Sequence, residues 1–274
     1  MLRIATFNVN GIRAATRRGF PGWLGGRDCD VVALQEVRCP TDQVPAEAYA
    51  GYTLSYAAGE AAGRNGVAVL TRSPPTAVRS GFGHRTFDRQ GRYLEVDLDL
   101  PGHPPLTVAS LYLPKGGNPG DGGEELARYH RKMRFLASFG RHLTRARRAA
   151  AGVGREFLVM GDVNIAHTAL DVTNWRGSRK SAGFLPEERA WLDGALGPRT
   201  LVDVVRRLHP GVAGPNSWWM WREPAFAADT GWRIDYHLGT PALARSAVAG
   251  GTDKDPSYAE RISDHAPVVV DYDL

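Results

Sequence analysis

At 274 residues the chain is long for one domain but within the range of large layered enzymes, and no Pro/Gly/Ser-rich linker or low-complexity tract divides it, so one domain over 1–274 is expected. Thirty-four basic against 29 acidic residues leave a net charge of +5 and a pI near 9.4, which suits a polyanionic partner, although only four of the basic residues are lysines. The lack of any run of 18 apolar residues, of a charged-then-apolar leader and of metal-ligand spacing around Cys29 and Cys39 argues against a spanning helix, a secreted protein and a thiolate metal site; a soluble, cytoplasmic protein with reduced, structural cysteines is expected.

In chain order, Leu2 to Phe7 and Val31 to Leu34 are short apolar runs rich in β-branched residues and predict buried strands. Arg13 to Leu24 between them predicts a helix. Further strands are predicted at Tyr52 to Tyr56, Gly66 to Leu70, Tyr93 to Leu98, Leu106 to Tyr112, Glu156 to Met160, Ile234 to Leu238 and Pro267 to Tyr272. The Gly-rich stretch from Lys115 to Gly123 reads as a loop. Glu124 to Arg148 places Leu126, Tyr129, Met133, Leu136, Gly140 and Leu143 at steps of three and four, one face of a helix whose basic opposite face is expected to be solvated. Pro186 to Leu196 opens with a proline and two glutamates, a favourable helix start. Many strands with interspersed helices predict an α/β fold in which two sheets pack face to face with helices outside.

The candidate chemistry lies at strand ends. Asn8 and Asn10, Glu36, Asp162 and Asn164, Asp235, and Asp264 with His265 each border an apolar run, so the strands present polar groups at one rim. Side chains two apart on an extended segment face the same way, so Asn8 with Asn10, and Asp162 with Asn164, each reach one site. A cluster of carboxylates needs a cation or a proton to exist. Glu36 is the best candidate ligand for a hard divalent cation such as Mg2+. Asp162 suits the activation of water beside the amide of Asn164, His265 suits a cationic or acidic partner for a phosphate, and Asp235 suits its orienting carboxylate.

The ordered segments Phe-Asn-Val-Asn-Gly-Ile-Arg, Leu-Gln-Glu, Leu-Tyr-Leu-Pro, Gly-Asp-Val-Asn-Ile-Ala-His, Gly-Phe-Leu-Pro-Glu-Glu-Arg, Gly-Trp-Arg-Ile-Asp-Tyr and Ser-Asp-His-Ala-Pro-Val span almost the whole chain. Together they resemble the motifs of the exonuclease III family of apurinic/apyrimidinic endonucleases. The resemblance implies a four-layered α/β sandwich with two mostly antiparallel sheets, and Mg2+- or Mn2+-dependent cleavage of DNA 5′ to abasic sites with 3′ to 5′ exonuclease and end-trimming activity. It further implies that Glu36, with Asn10 and Asp264, binds the metal; that Asp162 activates water; that Asn8 and Asn164 place the phosphate beside Tyr112; and that Asp235 pairs with His265. Trp218 and Trp232 would line a pocket for a baseless sugar, while Trp219 and Trp221 are core by default.

DNA contacts are expected at Arg13, at Lys115 to Asn118, and along Asn174, Arg176, Ser178 and Lys180, where mixed cations, hydroxyls and amides suit phosphate positioning. Asn10 departs from an aspartate of animal relatives, Lys115 from a frequent amide, and Ser178 and Ser181 from asparagines. The implied partner is double-stranded DNA with abasic sites or blocked 3′ ends, bound by a monomer that associates with the nucleoid through DNA. Rival readings are a nuclease-like enzyme acting on a soluble phosphate ester and a non-enzymatic DNA-binding protein on the same fold.

Overall fold

The computed structural model describes residues 1–274. Its twelve strands are β1 (Leu2–Asn8), β2 (Val31–Gln35), β3 (Thr53–Ala57), β4 (Val67–Thr71), β5 (Ala77–Ser80), β6 (Tyr93–Leu98), β7 (Leu106–Tyr112), β8 (Glu156–Asp162), β9 (Val202–Asp203), β10 (Asp235–Gly239), β11 (Ala247–Thr252) and β12 (Val268–Tyr272). They form two six-stranded sheets, ordered β11-β12-β1-β2-β4-β3 and β5-β6-β7-β8-β10-β9. In each sheet the third and fourth strands are the parallel pair, β1 with β2 and β7 with β8, and every other pairing is antiparallel. The two sheets thus share one pattern of strand pairing.

Period-two alternation builds the layers. Leu2, Ile4, Val31 and Ala33 face inward and meet Leu94, Val96, Val108 and Leu158 of the other sheet in the central core. Their chain neighbours Ala5, Phe7, Val32 and Leu34 face outward onto Ile12, Ala15, Phe20 and Leu24 of two short helices. On the other side Ala109, Leu111, Phe157 and Val159 pack against Phe135, Leu136, Phe139 and Leu143 of the helix Gly123–Gly152. Each fully buried Leu, Val or Phe contributes about 1.5–3 kcal/mol, so these two-sided strands anchor the rim where the polar residues project. No helix is long and apolar enough to cross a membrane.

The structure departs from the sequence reading in places. The helix expected over Arg13 to Leu24 is two, Ile12–Arg17 and Phe20–Arg27, because Gly19 at φ 104 turns the chain and Pro21 opens the second helix. The edge strands β5 and β11 were not foreseen, being half exposed and without a clear apolar alternation. On the basic face of Gly123–Gly152, Arg128, Arg131 and Arg134 are exposed as expected, but Lys132 is fully buried.

Candidate active site

Strand direction gathers the polar residues. The parallel pairs end on one rim, where β1 supplies Asn8, the residue after β2 is Glu36, and β7 and β8 end at Tyr112 and Asp162 in register. The antiparallel β10 starts on that rim with Asp235 opposite Asp162, and His265 precedes β12, which runs antiparallel to β1. Asn10, Glu36 and Asn164 all have left-handed backbone, at φ 47, 52 and 52, a conformation that costs free energy and clusters at functional sites. Two matching turns result, with the Asn10 N–H donating to Asn8 Oδ1 at 3.1 Å and the Asn164 N–H to Asp162 Oδ1 at 2.8 Å.

Asn8 is buried, and its Nδ2 donates to Glu36 Oε1 and to Asp162 Oδ2, each at 2.9 Å. Asn164 Nδ2 donates to Leu113 O at 2.9 Å and to Asp162 Oδ2 at 3.1 Å. A side-chain amide carries two donor protons. Both protons of both amides are thus engaged, so in this geometry Asn8 and Asn164 aim the Asp162 carboxylate rather than face a phosphate. Glu36 also pairs with Arg38. Asp235 Oδ2 bonds His265 Nδ1 at 2.8 Å and accepts the Ser217 hydroxyl at 2.6 Å. The other face of His265, Nε2, lies 3.8 Å from Asp162 Oδ2, beyond direct hydrogen-bond range.

Burial raises Asp162 to about 7; the cationic His265 opposes that rise, and Asp235 and Glu36 add to it. Burial alone would lower His265, but the Asp235 carboxylate and its hydrogen bond, with Asp162 and Asp264, raise it to about 10. Asp264 is held below its ordinary value: burial works against ionisation, and His265 with hydrogen bonds from Trp218 and Asn10 outweighs it. Tyr112 is raised by burial and by the charges of Glu36 and Asp162, with the Arg92 guanidinium 4.9 Å from the centre of its ring.

Glu36, Asp162 and His265 each bring one potential ligand atom within 4.8 Å of the others. Carboxylate oxygens suit a hard divalent cation, whereas an imidazolium offers donors and no lone pair, so the set fits a cation held through Glu36 and Asp162. Asn10 and Asp264, expected beside Glu36, bond each other through Asn10 Nδ2 and Asp264 Oδ1 at 2.8 Å, and Trp218 Nε1 donates to Asp264 Oδ2 at 3.2 Å.

Next to this cluster lies a cavity of about 160 Å³ whose lining includes Lys115, Asn164, Trp218, Trp232, Asp264 and His265. The two indoles meet edge to face, with centroids 6.4 Å apart. Of the other tryptophans, Trp219 is core as expected, but Trp221 is 40% exposed, with the guanidinium groups of Arg18 and Arg261 4.8 and 4.6 Å from the centre of its ring. Arg13, Lys115, Asn174, Arg176 and Lys180 are exposed, and Ser178 is half-buried at the end of the helix Trp175–Ser178. Two of the expected DNA-contact residues carry structural bonds: Asn174 caps that helix by accepting the Gly177 N–H at 3.3 Å, and Asn118 Oδ1 accepts the Ala182 N–H at 2.7 Å. Sequence reasoning missed Ser217, Arg38 and Arg92, which bear on Asp235, Glu36 and Tyr112; only Arg38, two residues after Glu36, carried a local signal.

Residues 5–265 match the model of the Endonuclease/Exonuclease/phosphatase family, and the chain belongs to that family. Within it the chain is 30% identical to exodeoxyribonuclease III of Haemophilus influenzae, covering 99% of this chain and 100% of that one. It is 28% identical to the DNA repair nuclease APEX1 of Danio rerio over 98% of this chain and 81% of the relative. An AP endonuclease structure from Archaeoglobus fulgidus superimposes with a TM-score of 0.84 at 28% identity, covering 100% of both chains. The 3' phosphatase NExo from Neisseria, bound to a product DNA hairpin, gives 0.85 at 26% identity, again covering 100% of both. The particular group within the family is thus that of exodeoxyribonuclease III and the AP endonucleases.

Proposed function

We propose that this protein is a single-domain, monomeric DNA repair nuclease that uses a divalent metal to hydrolyse phosphodiesters 5′ to abasic sites, and that trims nucleotides and blocking groups from 3′ ends. The observation that carries this reading is the small cavity that Trp218 and Trp232 line together with Asp264 and His265, with His265 Nε2 in turn 3.8 Å from Asp162 Oδ2. An extruded sugar without a base fits such a niche better than a whole nucleotide does, and its extrusion costs least where nothing is stacked or paired.

Mg2+, or Mn2+ in its place, would be held by Glu36 with Asp162, near Asn10 and Asp264, and would supply charge neutralisation at the phosphate and the leaving 3′ oxygen. Asp162 accepts the proton of the attacking water, its carboxyl raised above the usual carboxylate range by burial and by the neighbouring charges of Asp235 and Glu36. Asn8 and Asn164 fix the direction of that carboxylate. His265, kept cationic by Asp235, donates from Nε2 to a phosphate oxygen and stabilises the charge that develops there. Exposed Arg13, Lys115, Arg176 and Lys180 place the duplex through its phosphates.

The test is cleavage of a duplex carrying one abasic-site analogue beside the intact duplex, with Mg2+ and with chelator. Metal-dependent incision at the lesion, faster than digestion of the intact strand and lost in Glu36→Ala and His265→Ala, is the expected result. Near wild-type turnover in either variant would overturn the assignment. The likeness to the Neisseria 3' phosphatase favours a second reading, in which blocked 3′ ends are the main substrate. Removal of a 3′ phosphate faster than abasic incision would select it.

A further inference from the structure

Lys132 and Glu188 form an ion pair that no step of the chemistry uses. Lys132 Nζ lies 2.7 Å from Glu188 Oε1, and the two side chains are 0% and 1% exposed. Charges taken out of water persist only where their remaining protons and lone pairs are also satisfied. Here the backbone behind the cavity satisfies Lys132 Nζ and Glu188 Oε2, while Glu188 Oε1 has the ammonium as its one partner. Lys132 Nζ donates to Asn164 O at 2.8 Å and to Lys115 O at 3.3 Å. Glu188 Oε2 accepts the N–H of Gly183 at 2.7 Å and of Leu185 at 3.1 Å. Lys115, Asn164 and Gly183 all line the cavity that Trp218 and Trp232 also line, so one pair holds three separate stretches of its wall. Gly116 lies directly against the pair, and a Cβ there would come within 2.8 Å of Lys132 Cδ.

We propose that Lys132 and Glu188 are positioning residues that set the width of this cavity, and through it the preference for a baseless sugar over an intact nucleotide. The inference rests on the proposed function and adds the device that makes the cavity selective. The pair bridges the helices Gly123–Gly152 and Pro186–Ala195. The loop of Lys115, the turn of Asn164 and the strip at Gly183 therefore move only if that bridge moves. The pair has no hydrogen bond to Glu36, Asp162 or His265 and reaches Asp162 only through Asn164, so a change of fit is read in affinity and KM and a change in the aim of Asp162 in kcat.

The double variant Lys132→Met/Glu188→Gln removes both charges at nearly constant volume, a replacement that cores tolerate. Its affinity for a duplex with a tetrahydrofuran abasic analogue, relative to the intact duplex, is measured in chelator, together with the melting temperature and with kcat and KM for metal-supported incision. The expected result is a fold that still melts cooperatively and a lesion preference reduced about tenfold, mostly through KM. Gly116→Ala, which presses on Lys132 and also strains a backbone held at φ 82, tests the same wall if the double variant fails to fold, and is expected to lower the preference in the same direction. A wild-type protein without lesion preference would refute the functional reading. Wild-type preference that survives in a folded double variant, or in Gly116→Ala, would refute the bracket alone.

Discussion

His237 makes the join between the two sheets sensitive to acid. It lies on β10, fully buried, with Nδ1 3.1 Å from the Tyr272 hydroxyl and Nε2 3.2 Å from Val268 O, both on β12. The neutral ring satisfies both contacts, accepting from the hydroxyl and donating to the carbonyl. Burial lowers its pKa from 6.5 to about 4, against a smaller upward pull from the Val268 carbonyl. The folded value lies below the unfolded one. The stability that this residue contributes is therefore present above pH 6.5 and is lost as the pH falls from there towards 4. Linkage over that interval puts the loss at about 2 kcal/mol between pH 8 and pH 5. Urea unfolding of the wild type and of His237→Gln at those two pH values isolates this group from all the others. The glutamine amide can donate to Val268 O and accept from Tyr272 but does not titrate, so the wild type is expected to lose about 2 kcal/mol more than the variant. Equal losses in the two proteins would show that His237 does not carry the acid sensitivity.

Three further outcomes concern the rim and the two cysteines. Asp162→Asn is expected to lower single-turnover incision about a thousandfold with little change in affinity for an abasic duplex, and a rate within tenfold of wild type would remove Asp162 from proton transfer. Ser217→Ala deletes a hydroxyl that donates to Asp235 Oδ2 at 2.6 Å and accepts the N–H groups of Ile234 and Asp235 at 3.1 Å each. Chemical denaturation should show a cost of about 2 kcal/mol, with kcat reduced about tenfold; wild-type kcat in the folded variant would mean that Asp235 is held without it. Cys29 is fully buried, with burial pushing its thiol up to about 12, and Cys39 is raised by burial too. Neither should react with a thiol reagent at pH 8 until denaturant is added, and rapid labelling of the native protein would contradict the packing.

The rim itself was legible because a buried strand tolerates a polar residue poorly until the chain leaves the core. Asn8, Glu36, Asp162, Asp235 and His265 all mark that exit, and antiparallel or parallel direction then decides which exits share an edge. The roles of Asn8 and Asn164 were less legible, since an amide near a carboxylate reads equally as a phosphate donor or as its support. Only the count of engaged protons separates the two. The second sheet's edge strand β5 and the first sheet's β11 escaped because edge strands need no apolar alternation.

What the sequence concealed most completely is the support behind the rim, and the reason is chain distance. Ser217 reaches Asp235 across 18 residues, Gln35 donates to Ser110 across 75, and Lys132 meets Asn164 across 32. No period or motif relates such positions. Lys132 reads as one more cation on a helix that also carries Arg128, Arg131 and Arg134, all exposed. It differs because the carbonyls of Lys115 and Asn164 and the carboxylate of Glu188 close over its ammonium and exclude water. The polar rim is built from residue types that any strand end can present, whereas the wall of the cavity beside it is held by buried contacts between residues far apart in the chain, such as Lys132 with Glu188.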